Sequence, residues 1–235
     1  MVSPWIETKV TETAKRVAFI SARALRTKGS LAALVASARS EARALAAEAL
    51  KREPPGHLDC REGCDACCRS QRVVMSGPEA IVIAARIAET RSAEEVSGLR
   101  DLLTAQLRKP HGQPCPLLQK HRCTVYECRP LRCEGHNGVD ARQCHRLDHL
   151  VWLPQEMSFR VASGGISAGA ARCGVGSGTY ELRRALLIAL TEKDVEARYL
   201  GGDALFAPAE LKLEDMTPGE REIEEIRIRR ERHED

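Results

Sequence analysis

The sequence is poor in aromatic side chains: its 235 residues include two Trp, three Tyr and three Phe. A core built from this chain must rely on Ala, Leu, Val and Ile. The scarcity also counts against a nucleic-acid partner, because bases of single strands stack on aromatic rings. The net charge indicates no partner either, because 36 Lys and Arg residues nearly balance 33 Asp and Glu residues.

Long apolar runs are missing as well. No stretch of about twenty apolar residues occurs, so the sequence predicts no membrane span. The start, MVSPWIETKV, lacks the basic region and apolar stretch of a signal peptide. We therefore expect a cytoplasmic protein, in which clustered cysteines indicate metal ligation or redox chemistry rather than a disulfide framework.

Cysteine is what the sequence has in excess, with ten residues. The first cysteine segment, CREGCDACC, places four thiols within nine residues: Cys60, Cys64, Cys67 and Cys68. The second cysteine segment begins some fifty residues later and contains Cys115, Cys123, Cys128 and Cys133. Closely spaced thiolates present several sulfurs to one ion, so both segments predict a metal centre.

The number of centres and the identity of the metal stay open. A tetrahedral ion and a cubane cluster each need four ligands, so eight thiols can serve two centres, or one centre with spare thiols. The loose spacing of the second segment favours a composite site made by both segments. Adjacent Cys67 and Cys68 can serve different metals. Further candidate ligands are Cys144, His121, His136, His145 and His149, whereas Cys173 is interpreted as a spare thiol.

Helical periodicity dominates the rest of the chain. Apolar residues recur at three- and four-residue steps in 30–52, and 4–28 is a second predicted helix before the break at Gly29-Ser30. Further helices are predicted from Pro78 to about Thr90, from Ser92 to about Lys109, from Tyr180 to about Lys193, and from the capping box at Thr217 to Arg230. Gln71 to Met75 is a predicted extended segment.

Two stretches lack a helical period. Residues 115–146 are predicted to be loops and short helical turns shaped by the metal. Ser163 to Gly178 has six glycines in sixteen residues and is interpreted as a mobile linker or lid. It lacks both the Walker lysine and the dinucleotide-binding fingerprint, which counts against a nucleotide loop.

The expected fold is mostly α. It consists of an N-terminal helical hairpin or arm over 1–56, a small, loop-rich, helical metal-binding domain over 57–150, and a C-terminal helical extension with a Gly-rich linker over 151–235.

Four motifs occur in order: Cys60-x3-Cys64-x2-Cys67-Cys68, Met75-Ser76-x2-Glu79, Cys115-Pro-Leu-Leu, and Cys123-x2-Tyr126-x2-Arg129-Pro130-x2-Cys133. Together they resemble the YkgJ-like cysteine-cluster family, also called the CxxCxxCC zinc- or iron-chelating family, over roughly residues 57–150. Three residues separate Cys60 from Cys64, whereas the family name implies two.

The resemblance implies binding of iron, an iron–sulfur cluster or zinc. The ligand pool carried over from the family is Cys60, Cys64, Cys67, Cys68, Cys115, Cys123 and Cys133. We expect a metal-binding protein with a structural or metal-handling role, in which the metal contributes to folding. The alternative is an iron or iron–sulfur enzyme of redox or protein-modification chemistry. The N-terminal helices are a candidate surface for a protein partner.

Overall fold

The computed structural model describes residues 3–61, 63–69, 72–108, 113–144 and 151–211. This part of the chain is mostly helical, which confirms the predicted fold class. Its eight α-helices are α1 (Pro4–Arg26), α2 (Leu31–Arg52), α3 (Gly77–Thr90), α4 (Ala93–Leu107), α5 (Leu131–Gly135), α6 (Leu153–Ala171), α7 (Leu182–Thr191) and α8 (Val195–Leu200). The predicted capping box at Thr217 and the charged helix after it lie outside the described residues.

Local sequence signals set the ends of the first two helices. The Ser3 hydroxyl accepts a hydrogen bond from the Ile6 amide before α1, and the Ser30 hydroxyl accepts one from the Ala33 amide before α2. Lys28, between the two helices, has φ of 50°. The chain therefore turns where the Gly29-Ser30 break predicts, with bounds one or two residues tighter than expected.

α1, α2 and α6 pack against one another. The glycines of α6 allow this close approach: a Cβ at Gly165 would lie 2.7 Å from Val17 Cβ, and one at Gly169 would lie 2.5 Å from Ser21 Cβ. The expectation of a linker over residues 163–178 is therefore wrong for its first half, which is helical to Ala171. These glycines serve helix packing rather than mobility, because larger side chains would hold the helices apart.

α3 packs against α2 and α7, and α4 packs against α7. Strand β1 (Val74–Met75) pairs antiparallel with β4 (Tyr180–Glu181), aligning Met75 with Tyr180. One apolar core takes side chains from all three predicted segments, including Leu34, Ile83, Leu131, Ile166 and Leu186. The boundaries after residues 56 and 150 remain a prediction.

The cysteine-rich part has little regular structure. Strands β2 (Leu118–Gln119) and β3 (Arg122–Cys123) form a hairpin whose turn residues, Lys120 and His121, both have positive φ. Short 3-10 turns and α5 make up the rest of 113–144, in agreement with the expected loops and short helical turns. Among the described helices, none has the length and apolarity to span a membrane.

Candidate metal centre

The two cysteine segments are joined through their backbones and side chains. The Cys115 amide donates a hydrogen bond to the Cys68 carbonyl at 2.6 Å. Asp65, in the first segment, accepts a hydrogen bond from Arg69 and lies 2.9 Å from the Nδ1 atom of His121 in the β2–β3 turn. Arg69 and His121 hold the pKa of the Asp65 carboxyl below its usual range. The hairpin is therefore fastened against the first segment.

Four thiols from the two segments lie close enough for the charge of one to affect the pKa of another. We call them the inner thiols: Cys68, Cys115, Cys123 and Cys133. Burial raises the pKa of Cys133 well above its ordinary value, and the charges of Cys115, Cys68 and Cys123 raise it further. The pKa of Cys115 is raised to about 12, mainly by burial and further by the charges of Cys68 and Cys123. Without metal, the thiols of Cys115, Cys123 and Cys133 therefore hold their protons more tightly than an exposed cysteine does, because clustered, desolvated thiolates repel one another.

Several groups at the inner thiols favour the charged form that a metal requires. The backbone amide of Leu117 hydrogen-bonds Cys115, and that of Val125 hydrogen-bonds Cys123; each interaction lowers the thiol's pKa against the effect of burial. The Arg129 guanidinium lowers the pKa of Cys68, Cys123 and Cys133 through its charge. Amide hydrogen bonds to sulfur and a nearby cation stabilise thiolate ligands.

Arg129 is held in place by its neighbours. Its guanidinium carbon lies 3.8 Å from the centre of the Tyr126 ring, and its Nη1 atom donates to the Tyr126 carbonyl at 3.0 Å. Its own carbonyl accepts a hydrogen bond from Arg39 of α2 at 2.8 Å. The Arg-Pro motif thus supplies a positioned cation beside the sulfurs.

The adjacent thiols differ in their acidity. A hydrogen bond from the Cys67 thiol to the Cys68 sulfur raises the pKa of Cys67 and lowers that of Cys68. The pair therefore shares one proton, and Cys68 is the more readily ionised member.

A second group lies beside the first: Cys60, Cys64 and Cys144, which we call the outer thiols. Partial desolvation of its sulfur and then the charge of Cys64 raise the pKa of Cys60. Burial, followed by the charges of Cys64 and Cys60, raises the pKa of Cys144. The charge of Cys68 also raises the pKa of Cys60, so the outer thiols adjoin the inner thiols.

Other candidate ligands lie elsewhere. Burial raises the pKa of Cys128, against the charges of Arg39 and Arg86, and the charge of Cys128 in turn raises the pKa of Cys123. Cys173 donates to the Ala22 carbonyl of α1 at 3.3 Å. The His136 carbonyl lies 3.7 Å from Cys60 Sγ. The remaining two histidine candidates, His145 and His149, lie outside the described residues.

Two buried carboxylates position α5, which carries Cys133. Glu79 of α3 accepts hydrogen bonds from the Leu131 amide at 2.8 Å, from the Ser76 amide and hydroxyl, and from the Ser163 hydroxyl of α6. Glu134 of α5 pairs with Arg39 and Arg43 of α2. The sequence marked Glu79 only as part of the motif Met75-Ser76-x2-Glu79, which does not reveal the contact with α5.

In the described ranges, no three His, Cys, Asp or Glu side chains form a group that could hold a metal ion as they stand. The thiols are neighbours within electrostatic range, not a set at ligand distance from one point. Their chemistry nevertheless fits a thiophilic metal, because zinc and iron accept thiolates and backbone amides already favour the charged form of Cys115 and Cys123.

Fold and site together define a helical protein with a cysteine-rich region. Residues 59–152 match the family model described as CxxCxxCC, a putative zinc- or iron-chelating domain. The match covers about two fifths of the chain, includes both cysteine segments and Cys144, and confirms the resemblance seen in the motifs. It supports metal binding by this region. No curated protein and no solved structure matches the chain.

Proposed function

We propose that residues 59–152 bind zinc or iron through the inner thiols and that the metal holds the cysteine-rich loops in their fold. The approach of the two segments carries this proposal, because the Cys115 amide donates to the Cys68 carbonyl and the four sulfurs interact electrostatically. Four thiolates complete a tetrahedral ion and equally a cubane iron–sulfur cluster.

The cysteine-rich loops bury few apolar side chains, and this supports a structural role for the metal. Among the described residues, no hydrophobic side chain between Ala49 and Met75 is buried. Residues 113–144 bury few, chiefly Leu117, Val125 and Leu131. Metal–thiolate bonds would cross-link segments that apolar packing does not hold, so binding contributes free energy to folding.

Replacing one inner thiol tests the proposal. Cys133→Ser removes a ligand of the inner set, whereas Cys128→Ser removes a thiol of the same segment that acts on the inner set only through the pKa of Cys123. We expect Cys133→Ser to lose at least half of the bound metal and Cys128→Ser to keep the wild-type content. The measurement is metal analysis of protein purified without oxygen. Wild-type protein with less than about one metal per two chains would contradict the proposal.

The same samples distinguish the metals. An iron–sulfur cluster gives a brown protein that absorbs near ~400 nm, whereas a zinc protein is colourless.

The alternative role as an iron or iron–sulfur enzyme needs an open coordination position. A spectral change on adding cyanide or azide would favour that role, and an unchanged spectrum would favour the closed, structural site.

A further inference from the structure

A cleft of about 400 Å³ lies where the C-terminal ends of α1 and α6 meet. One aromatic ring, two small side chains and three arginines line it: Phe19, Ala22, Thr27, Arg23, Arg26 and Arg172. Phe19, Arg23 and Arg26 follow one another at four- and three-residue steps, so they share one face of α1. Arg172 comes from the end of α6, which the Cys173 thiol fastens to α1 through the Ala22 carbonyl.

The cleft exposes groups that have no partner in the described part of the chain. Phe19 is 65% exposed, more than any other large apolar side chain there. The guanidiniums of the three arginines have neither an ion pair nor a hydrogen bond in the same part of the chain. Cations in the last turn of α1 also compensate the helix dipole, but the dipole does not account for the exposed ring. The cleft therefore suits a segment that offers both carboxylates and apolar side chains.

The chain itself contains a segment of that composition. Residues 213–226, LEDMTPGEREIEEI, include six carboxylates and one arginine, and they lie outside the described residues. Ile223 and Ile226 are three residues apart, and so are Glu222 and Glu225. In the helix that the sequence predicts here, this spacing gives an apolar stripe beside an acidic stripe. The two stripes complement the ring and the guanidiniums of the cleft.

This acidic segment begins close enough to the cleft to reach it. The Leu211 amide donates to the Thr179 carbonyl at 3.1 Å. Thr179 follows Arg172 by seven residues, which span at most about 25 Å. Fourteen residues lead from Leu211 to Glu225, and they span roughly 30 Å even when the predicted helix forms. The segment can therefore reach the cleft without any rearrangement of the bundle.

We propose that the acidic segment, residues 213–226, docks in this cleft of the same chain, with its isoleucines against Phe19 and its glutamates against the three arginines. Docking removes the ring from water and gives the guanidiniums ion-pair partners. The inference is independent of the proposed metal function, because no cysteine lines the cleft. Exposed ion pairs are weak and are screened by salt, so the docked fraction should fall as ionic strength rises.

Photo-cross-linking of the full-length protein tests the docking. Phe19→benzoylphenylalanine keeps an aromatic ring in the cleft and should cross-link, within one chain, to the tryptic peptide of residues 222–227, as mass spectrometry would show. Leu102→benzoylphenylalanine is the matched control on the exposed face of α4, and it should give no cross-link to that peptide. High salt should reduce the yield from position 19.

Charge reversal in the acidic segment tests the ion pairs. With the photo-reactive group at position 19, the double substitution Glu222→Arg and Glu225→Arg should lower the cross-link yield about fivefold, because attraction becomes repulsion. The matched control is Glu231→Arg with Glu234→Arg, which changes the charge equally outside the acidic segment. This control should keep the wild-type yield.

Charge reversal on both sides completes the experiment. Arg23→Glu with Arg26→Glu should lower the yield by itself and should restore it when combined with the reversed acidic segment. No cross-link to residues 222–227, or a yield that neither reversal changes, would overturn the inference. Cross-links found only between two chains would overturn it too, since the occupant would then be a second copy. If the arginine variants do not fold, the reversed segment and its control decide the outcome.

Discussion

The helical bundle and the cysteine-rich loops of this protein are held together in different ways. In the bundle of α1, α2 and α6, apolar side chains interlock and glycines allow close contact. The loops at 57–69 and 113–144 bury few apolar side chains and rely on hydrogen bonds, on the buried Glu79 and Glu134, and on clustered thiols. Metal should therefore matter for the cysteine-rich loops and hardly at all for the helical bundle.

Metal removal is expected to have the largest effect, and only in the loops. Without metal, the loops lose the cross-links that metal–thiolate bonds supply. Hydrogen exchange before and after treatment with a chelator should show lost protection in 57–69 and 113–144, with α1, α2 and α6 unchanged. Equal loss of protection in the bundle would contradict the division into two regions.

Gly169→Ala is expected to weaken the bundle without affecting the metal. The new Cβ would lie 2.5 Å from Ser21 Cβ and 2.8 Å from the Ala18 carbonyl, so two helices must separate. We expect the free energy of unfolding to fall by about 1–3 kcal/mol, measured by denaturant titration.

Gly164→Ala is the matched control in the same helix. Apart from the backbone of α6 itself, no atom of the described residues lies within 4 Å of the added Cβ, so the substitution should raise stability by about 0.5–1 kcal/mol. Lower metal content in Gly169→Ala would show that the two regions are more strongly coupled than we infer.

Glu79→Gln is expected to have a smaller effect than metal removal or Gly169→Ala. It acts where the helical bundle meets the cysteine-rich loops. An amide keeps the shape of the carboxylate but cannot accept all four hydrogen bonds that reach it from α3, α5 and α6. We expect about 1–2 kcal/mol of lost stability. Metal affinity should fall while the number of metals per chain is kept, as chelator competition would show. Unchanged affinity would mean that Glu79 does not position α5.

Prediction from the sequence succeeded where the signals are local. The periodic apolar residues of 30–52 and the serine caps locate α1 and α2, and Ser92 locates α4. It failed at Ser163–Ala171, because glycine weakens a helix by itself and only contact with α1 makes this sequence helical. The ligand set predicted from the motifs remains a prediction, and so do the domain boundaries.

The sequence by itself determined the chemistry of this protein: ten soft thiols, eight of them in two dense segments, in a mostly helical chain. Residue type and spacing suffice for that, because thiolate affinity for metals and helical period are local properties. Only the tertiary structure decided which sulfurs are neighbours. Cys144, Glu79 and Arg129 reach the site through contacts between distant parts of the chain, and no local pattern encodes such contacts.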